Sequence, residues 1–166
     1  MSDLLPEARQ VLDYLVNTYT PEARVDEGAI EQATNLHGIA FNDAILDLAA
    51  HGLIQMDQTR LRLRAHAWVE AGEDVVGFSV EEDAVAVALA ANKVQMDTDD
   101  VNVAIEAQAL EHVTHLPVDR LNIAVLWLGD YAILSLQQWM STQPYAFGAV
   151  QASYHTRRWL RALGRL

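Results

Sequence analysis

The chain has 166 residues, of which 51% are hydrophobic and 20% are charged, a balance typical of a folded protein with a buried core. It contains no cysteine, which excludes disulfides, thiolate catalysis and cysteine-ligated zinc. The net charge of −12 argues against nucleic acid as the first expected partner, because affinity for DNA comes mainly from Lys and Arg that neutralise phosphates. No apolar run approaches the roughly 20 residues needed to span a bilayer, and the start of the chain lacks a signal-peptide pattern. We therefore expect a soluble, cytoplasmic protein that does not contact a membrane.

Two helices are predicted at the start of the chain. Apolar residues recur with the 3.6-residue period of a helix over residues 4–18, where Pro6 falls in the first turn and is tolerated. A break at residues 19–21 follows. Residues 26–36 begin with acidic side chains, which stabilise the positive end of a helix dipole, and we predict a second, shorter helix there.

A third helix with a clear stop follows. Apolar residues from Phe41 to Leu48 lie on one helical face, and Asn42 is a candidate N-cap because its side chain can accept a hydrogen bond from a free backbone N–H. Gly52 is predicted to end this helix, since glycine adopts the left-handed conformation without a steric penalty. The chain then returns to the core.

A β-hairpin is predicted after the third helix. Residues 57–59 form a polar turn, and Leu61 and Leu63 then alternate with three arginines, Arg60, Arg62 and Arg64. A period of two predicts a strand with one buried and one solvent-exposed face. Three helices followed by a hairpin are the order of elements in a winged helix, and residues 1–65 resemble the winged-helix family. The resemblance implies a third helix whose outer side enters the major groove in those members that bind DNA.

The second half of the chain repeats this pattern. Residues 26–54 align with residues 106–134 without a gap, and identical residues coincide along the whole alignment: Glu31 with Glu111, Leu36 with Leu116, Asn42 with Asn122, Ala44 with Ala124 and Leu48 with Leu128. Agreement that crosses two helices, a turn and a strand favours an internal repeat. The alternative is one all-α domain in which the register arises by chance.

The repeat predicts a mainly α fold with small β-hairpins, built of two winged-helix-like modules in tandem. The first module spans residues 1–68, a linker spans residues 69–78, and the second module spans residues 79–166. Residues 132–139 are predicted as either a long strand or a continuation of the preceding helix. A C-terminal helix is predicted over residues 145–163.

The outer side of the third helix differs between the two copies. In the first copy this side carries Asp43 and Asp47, whose carboxylates repel phosphates, so we expect a solvated acidic face or a docking face for a basic partner. In the second copy Arg120, Ile123 and Trp127 lie there. Large apolar groups favour burial, either under the C-terminal helix or the first module, or under a partner protein for which Trp127 is an anchor. We assign all of these residues to a candidate protein interface.

Basic residues cluster in the predicted hairpin and in the C-terminal helix: Arg60, Arg62 and Arg64, and Arg157, Arg158 and Arg161. Either cluster can contact the phosphates of a nucleic acid, or can pair with carboxylates of this chain or of a second subunit. Because the chain carries 23 acidic residues against 11 Lys and Arg, we favour pairing with protein carboxylates.

No catalytic constellation stands out. The chain lacks a glycine-rich phosphate loop and a GxSxG nucleophile motif, and the EHVTH segment supplies His112 and His115 without the further ligands of a zinc site. We therefore predict a protein that is not an enzyme and that holds no cofactor or metal.

The favoured function is a non-enzymatic interaction or adaptor protein that binds another protein or a second copy of itself. A homodimer is expected because exposed apolar faces favour burial. Acidic tandem winged-helix proteins with this use occur in chromosome-condensation accessory complexes, which this chain resembles in architecture alone. The alternative is a DNA-binding transcriptional regulator that uses the arginines of the hairpin and of the C-terminal helix. A small enzyme or metal protein is a third hypothesis.

Overall fold

The computed structural model describes residues 3–139 and 141–166, and the chain divides into two compact units, Met1–Ser79 and Val80–Leu166. Helices predominate in both units, and each unit contains a small antiparallel sheet of three strands. The structure thus confirms the predicted class, a mainly α chain with small β-hairpins. Among the described residues, no helix is both long and apolar enough to cross a bilayer.

The first unit is organised around its first helix. Its elements are α1 (Pro6–Thr18), β1 (Arg24–Asp26), α2 (Glu27–Thr34), α3 (Gly38–Ala50), β2 (Ile54–Asp57), β3 (Arg60–Leu63), α4 (His66–Ala71) and α5 (Glu73–Val76). The apolar side of α1 is buried, and the helix packs against α3 and α4. The strands pair in the order β1-β3-β2, so that Leu61 in the middle strand lies opposite Val25 and Met56.

The second unit has a corresponding set of elements. They are α6 (Val80–Thr98), β4 (Ile105–Glu106), α7 (Ala107–Thr114), α8 (Val118–Asp130), β5 (Leu134–Gln137), β6 (Ala149–Ala152) and α9 (Tyr154–Ala162). Helices α6 and α8 pack together and share one apolar core with Phe147 and Val150. The strands pair in the order β4-β6-β5. Residues 132–139, for which two structures were predicted, therefore contain a strand.

The predicted alignment between the two halves recurs in the element boundaries. Helix α2 begins at Glu27 and α7 at Ala107, and the boundaries of α3 and β2 recur with the same separation in α8 and β5. The residues that follow α2 and α7 share a left-handed conformation, with φ of 57° at Asn35 and 58° at His115. The two units therefore share the same order of elements from the first helix to the third strand. They also share the same strand order, in which the third strand of each unit lies in the middle of its sheet.

The two units differ in the connection between their last two strands. Residues 58–59 join β2 to β3, whereas residues 138–148 join β5 to β6, and residue 140 lies outside the described residues. The longer connection moves the last strand of the second unit out of the repeat register. A gapless alignment therefore ends at β5.

The predicted C-terminal helix over residues 145–163 is wrong in its first half. Residues 149–152 form β6, which pairs with both β4 and β5 and so satisfies its backbone groups on both sides. Helix α9 begins only at Tyr154, where the side chains of Ser153 and Thr156 form a capping box. Periodicity missed the strand because its partners are remote in sequence.

Helix α3 begins earlier than predicted. Its first residue is Gly38, so Ile39 precedes Asn42, and the prediction of Asn42 as the N-cap is wrong. Asn42 is the predicted N-cap because the buried apolar positions of this helix start at Phe41. The first turn of the helix is exposed, so the apolar pattern does not reveal it. The end of the helix agrees with the prediction, because Gly52 adopts a φ of 71° directly after the C-cap.

The segment predicted as a linker, residues 69–78, belongs to the first unit. It contains the end of α4 and all of α5, and the adjacent Trp68 is buried together with Ala71. From α1, the Arg9 guanidinium donates from Nη1 to the backbone oxygen of Glu70 at 2.9 Å and pairs with its carboxylate at 3.1 Å. These contacts make the segment part of the packed structure.

We predict that Gly129→Ala destabilises the second unit. A Cβ atom at Gly129 would lie 2.3 Å from Cδ1 and 2.8 Å from Cγ of Leu136, which packs against the core of this unit. We expect this overlap to lower the free energy of unfolding by about 1–3 kcal/mol, measured by urea denaturation followed by circular dichroism.

Gly28→Ala is the matched control, because a Cβ atom at this position of α2 meets no atom within 4 Å. The control variant should keep its stability or gain up to about 1 kcal/mol, since alanine is the better helix former. Equal stabilities of the two variants would contradict the close approach of α8 to β5.

Candidate interaction surfaces

The outer side of α8 is covered within the chain. Ile123 is 3% exposed, and Trp127 is half-buried against the core of the second unit. The Trp127 ring meets Trp159 of α9 edge-to-face with centroids 6.2 Å apart, and meets Tyr131 at 5.0 Å. Of the two alternatives for these large apolar side chains, cover within the chain and cover by a partner protein, the structure shows the first. For Trp127, the predicted cover by the C-terminal helix is what the structure shows.

Arg120 joins two helices of the second unit. Its guanidinium donates from Nε and Nη2 to the two carboxylate oxygens of Asp83, at 2.8 and 2.6 Å. Asp83 is charged yet buried, which this paired geometry makes tolerable. The hydrogen bonds to Asp83 raise the pKa of Arg120, so the guanidinium keeps its charge. This contact between α6 and α8 gives Arg120 a structural role within the second unit.

The outer side of α3 carries Ile39, Asp43 and Leu46, which we name the α3 stripe. Ile39 is 80% exposed and Leu46 is 63% exposed, and the exposed Asp43 lies between them at a spacing of i, i+4, i+7. Asp47, predicted on the same side, instead accepts a hydrogen bond from the backbone N–H of Leu5 at 2.8 Å. The spacing of the stripe is visible in the sequence. The buried residues of the same helix have a similar spacing, however, so the sequence does not show which of the two sides is exposed.

The arginines of the β2–β3 hairpin lie next to carboxylates. Arg60 pairs with Asp26 at 3.2 Å. Arg62 and Arg64 approach the same carboxylate, that of Glu22, at 3.3 and 3.9 Å. Two carboxylates therefore offset part of the charge of these three arginines within the first unit, which is the alternative that the composition favours.

Helix α9 exposes part of its basic cluster. Arg157 donates from Nη1 to the side-chain oxygen of Gln95. Arg158 and Arg161 are exposed, and neither forms an ion pair with any residue that the structure describes. They share one side of the helix with Tyr154, which is 62% exposed. We name Tyr154, Arg158 and Arg161 the α9 stripe.

The second unit also contains a cleft of about 310 Å³ below the long connection between β5 and β6, lined in part by Glu106, Gln137 and Tyr145. The Tyr145 hydroxyl donates to a carboxylate oxygen of Glu111 at 3.0 Å, and partial burial together with this bond raises the pKa of Tyr145. Glu106, the one charged residue among those that line the cleft, is exposed. The cleft therefore lacks the buried charge that marks most catalytic sites.

The two histidines of the EHVTH segment lie close together. The ring centroids of His112 and His115 are 6.2 Å apart. Within residues 3–139 and 141–166, no three His, Asp or Glu side chains are grouped closely enough to hold a metal ion.

We predict that Arg120→Ala lowers the free energy of unfolding by about 3–5 kcal/mol, because the variant leaves the Asp83 carboxylate buried and unpaired. The control is Arg165→Ala, which removes the exposed Arg165–Glu82 ion pair at 2.7 Å. Exposed pairs contribute at most about 1 kcal/mol, so urea denaturation should separate the two variants clearly. Similar losses would contradict the structural role of the Asp83–Arg120 pair.

A second prediction concerns the exposure of the α3 stripe. Leu46→Ala should change the free energy of unfolding by no more than about 0.5 kcal/mol, because an exposed side chain leaves no cavity. Leu48→Ala, in the same helix and with a fully buried side chain, should cost about 2–5 kcal/mol. A large decrease in the free energy of unfolding of Leu46→Ala would show that Leu46 packs against the rest of the protein and would contradict its exposure.

The chain matches no family model, no curated protein and no solved structure.

Proposed function

We propose that the chain consists of two winged-helix-like modules in tandem and acts as a non-enzymatic interaction protein through protein–protein contacts. Each unit supplies three helices followed by a hairpin, α1, α2, α3 and β2–β3 in the first and α6, α7, α8 and β5–β6 in the second. The shared order of elements and the shared order of strands support the tandem arrangement.

The exposed α3 stripe is the observation that carries this proposal. In a winged helix that reads DNA, the outer side of the third helix meets phosphates and the edges of bases. Here that side carries two large apolar side chains and the carboxylate of Asp43, none of which attracts a polyanion. Burying Ile39 and Leu46 would gain roughly 1.5–3 kcal/mol each, and a protein surface provides such burial.

The second module uses the same side of its third helix for packing. In the repeat alignment, Asp43 and Leu46 correspond to Ile123 and Leu126, each of which is 3% exposed. An outer side that packs against protein within the chain in one module and is exposed in the other supports protein contact as its role in the first module. In the first module, this contact requires a partner.

A DNA-binding regulator is the second candidate, favoured by the exposed Arg158 and Arg161 of α9. The hairpin arginines support it less, because the carboxylates of Glu22 and Asp26 lie beside them and repel phosphates.

We expect no measurable binding of the protein to a fluorescently labelled random DNA duplex, at low or at moderate salt, in a fluorescence-anisotropy titration. The physical reason is the net charge of −12, together with the carboxylates of Glu22 and Asp26 that lie beside the hairpin arginines.

The control is the double variant Arg158→Ala/Arg161→Ala, measured against the same duplex. Tight binding by the unmodified protein at low salt that weakens steeply as salt rises, and that is lost in the double variant, would contradict the protein-contact proposal and establish the regulator.

A further inference from the structure

We propose that the α3 stripe of one copy of the protein binds the α9 stripe of a second copy. This inference rests on the proposed function, because it names a second copy of the chain as the protein that binds the α3 stripe. The two stripes belong to different units of the chain, and each is exposed. Both are helical, and their chemistry is complementary.

The α3 stripe has an apolar side chain at each end and an acid at its centre. Ile39 and Leu46 are separated by two helical turns, or about 10 Å along the axis. Asp43 lies between them and forms no ion pair with any described residue. A complementary surface therefore needs a central cation and flanking groups that can cover hydrocarbon.

The α9 stripe repeats this spacing with the opposite charge. Tyr154, Arg158 and Arg161 lie at i, i+4 and i+7, the same spacing as in the α3 stripe. Arg158 occupies the central position, and Tyr154 presents an aromatic ring at one end. The (CH₂)₃ stem of Arg161 can cover apolar surface while its charged end stays in water.

Helix α9 holds its stripe in a fixed orientation. The capping box formed by Ser153 and Thr156 sets the start of the helix, and the buried Thr156 hydroxyl donates to the backbone oxygen of Ile133 at 2.5 Å. On the inner side, Leu160 is fully buried and Trp159 packs against Trp127. The backbone of the stripe is therefore ordered before binding, so only its side chains lose conformational freedom in the contact.

Parallel packing of the two helices matches the stripes residue by residue, because both stripes have the spacing i, i+4, i+7. The central Asp43 then faces the central Arg158, Ile39 faces Tyr154, and Leu46 faces the stem of Arg161. Because Asp43 and Arg158 form no ion pair with described residues of their own chain, the contact breaks no ion pair of either residue. A charge pair that is partly removed from water in this way also sets the register of the contact.

The contact is tested by sedimentation velocity of the full chain over a range of protein concentrations at moderate salt. The weight-average mass should rise above the monomer mass as the concentration increases, whether the copies close into a dimer or add one after another. Asp43→Arg and Arg158→Asp should each weaken self-association by roughly tenfold or more, because each places like charges opposite one another.

The double variant Asp43→Arg/Arg158→Asp is the decisive measurement, because it restores opposite charges at the centre of the contact. It should recover self-association to within roughly threefold of the unmodified protein. Asp119→Arg is the matched control for the change in net charge, since Asp119 is an exposed acid in the first turn of α8, and it should leave self-association unchanged. Circular dichroism verifies that each variant is folded.

Two outcomes would overturn the inference. A protein that stays monomeric at every concentration does not bind itself through these stripes, and self-association that the double variant fails to recover uses another surface. Neither outcome affects the proposed function, which is contradicted by salt-sensitive DNA binding in the anisotropy titration.

Discussion

Packing of the third helix against the first is the contact on which each unit depends. The two helices are in contact in both units, and the third helix buries the same positions in each: Phe41, Ala44, Ile45 and Leu48 in α3, and Leu121, Ala124, Val125 and Leu128 in α8. Because one side of the third helix is committed to this core in both units, the opposite side is where the two third helices can differ.

The opposite side differs between the units in its apolar content and in its exposure. In α8 this side carries Ile123 and Leu126, both buried, and Trp127 lies beneath Trp159 of α9. In α3 it carries Ile39 and Leu46, both exposed, with a carboxylate between them. The outer side of the third helix is thus covered in the second unit and exposed in the first. This difference is the reason for proposing that another protein binds the exposed side of α3.

Charge acts locally in this protein, although the chain as a whole is strongly acidic. Glu22 and Asp26 offset part of the charge of the arginines in the β2–β3 hairpin, and Asp83 pairs with Arg120 between α6 and α8. Helix α9 differs because its first turn contains no acidic residue, and its exposed Arg158 and Arg161 lie far in sequence from the nearest preceding acid. A cationic stripe therefore coexists with a net charge of −12.

The sequence by itself determined α1, α2, α3 and the repeat, whereas α5 lies in a segment predicted as a linker and the first half of the predicted C-terminal helix contains a strand. Apolar spacing of 3.6 residues predicts α1 and α3, an acidic first turn predicts α2, and glycine chemistry predicts the stop at Gly52, because these signals act between residues close together in the chain. The repeat is visible because the two halves align residue by residue without a gap. This alignment ends at the connection before β6, where the second unit has extra residues. The first strand of each sheet was not predicted, since β1 and β4 are only three and two residues long and pair with strands far away in sequence.

Only the tertiary structure decided which sides of the helices are covered. Ile39 and Ile123 are both isoleucines on the outer side of a third helix, yet one is exposed and the other buried. Trp127 is partly buried because Trp159 of α9 packs against it. Arg120 forms an ion pair because Asp83 of α6 lies opposite. Exposure and pairing depend on residues that meet in space, and no spacing within a single helix contains that information.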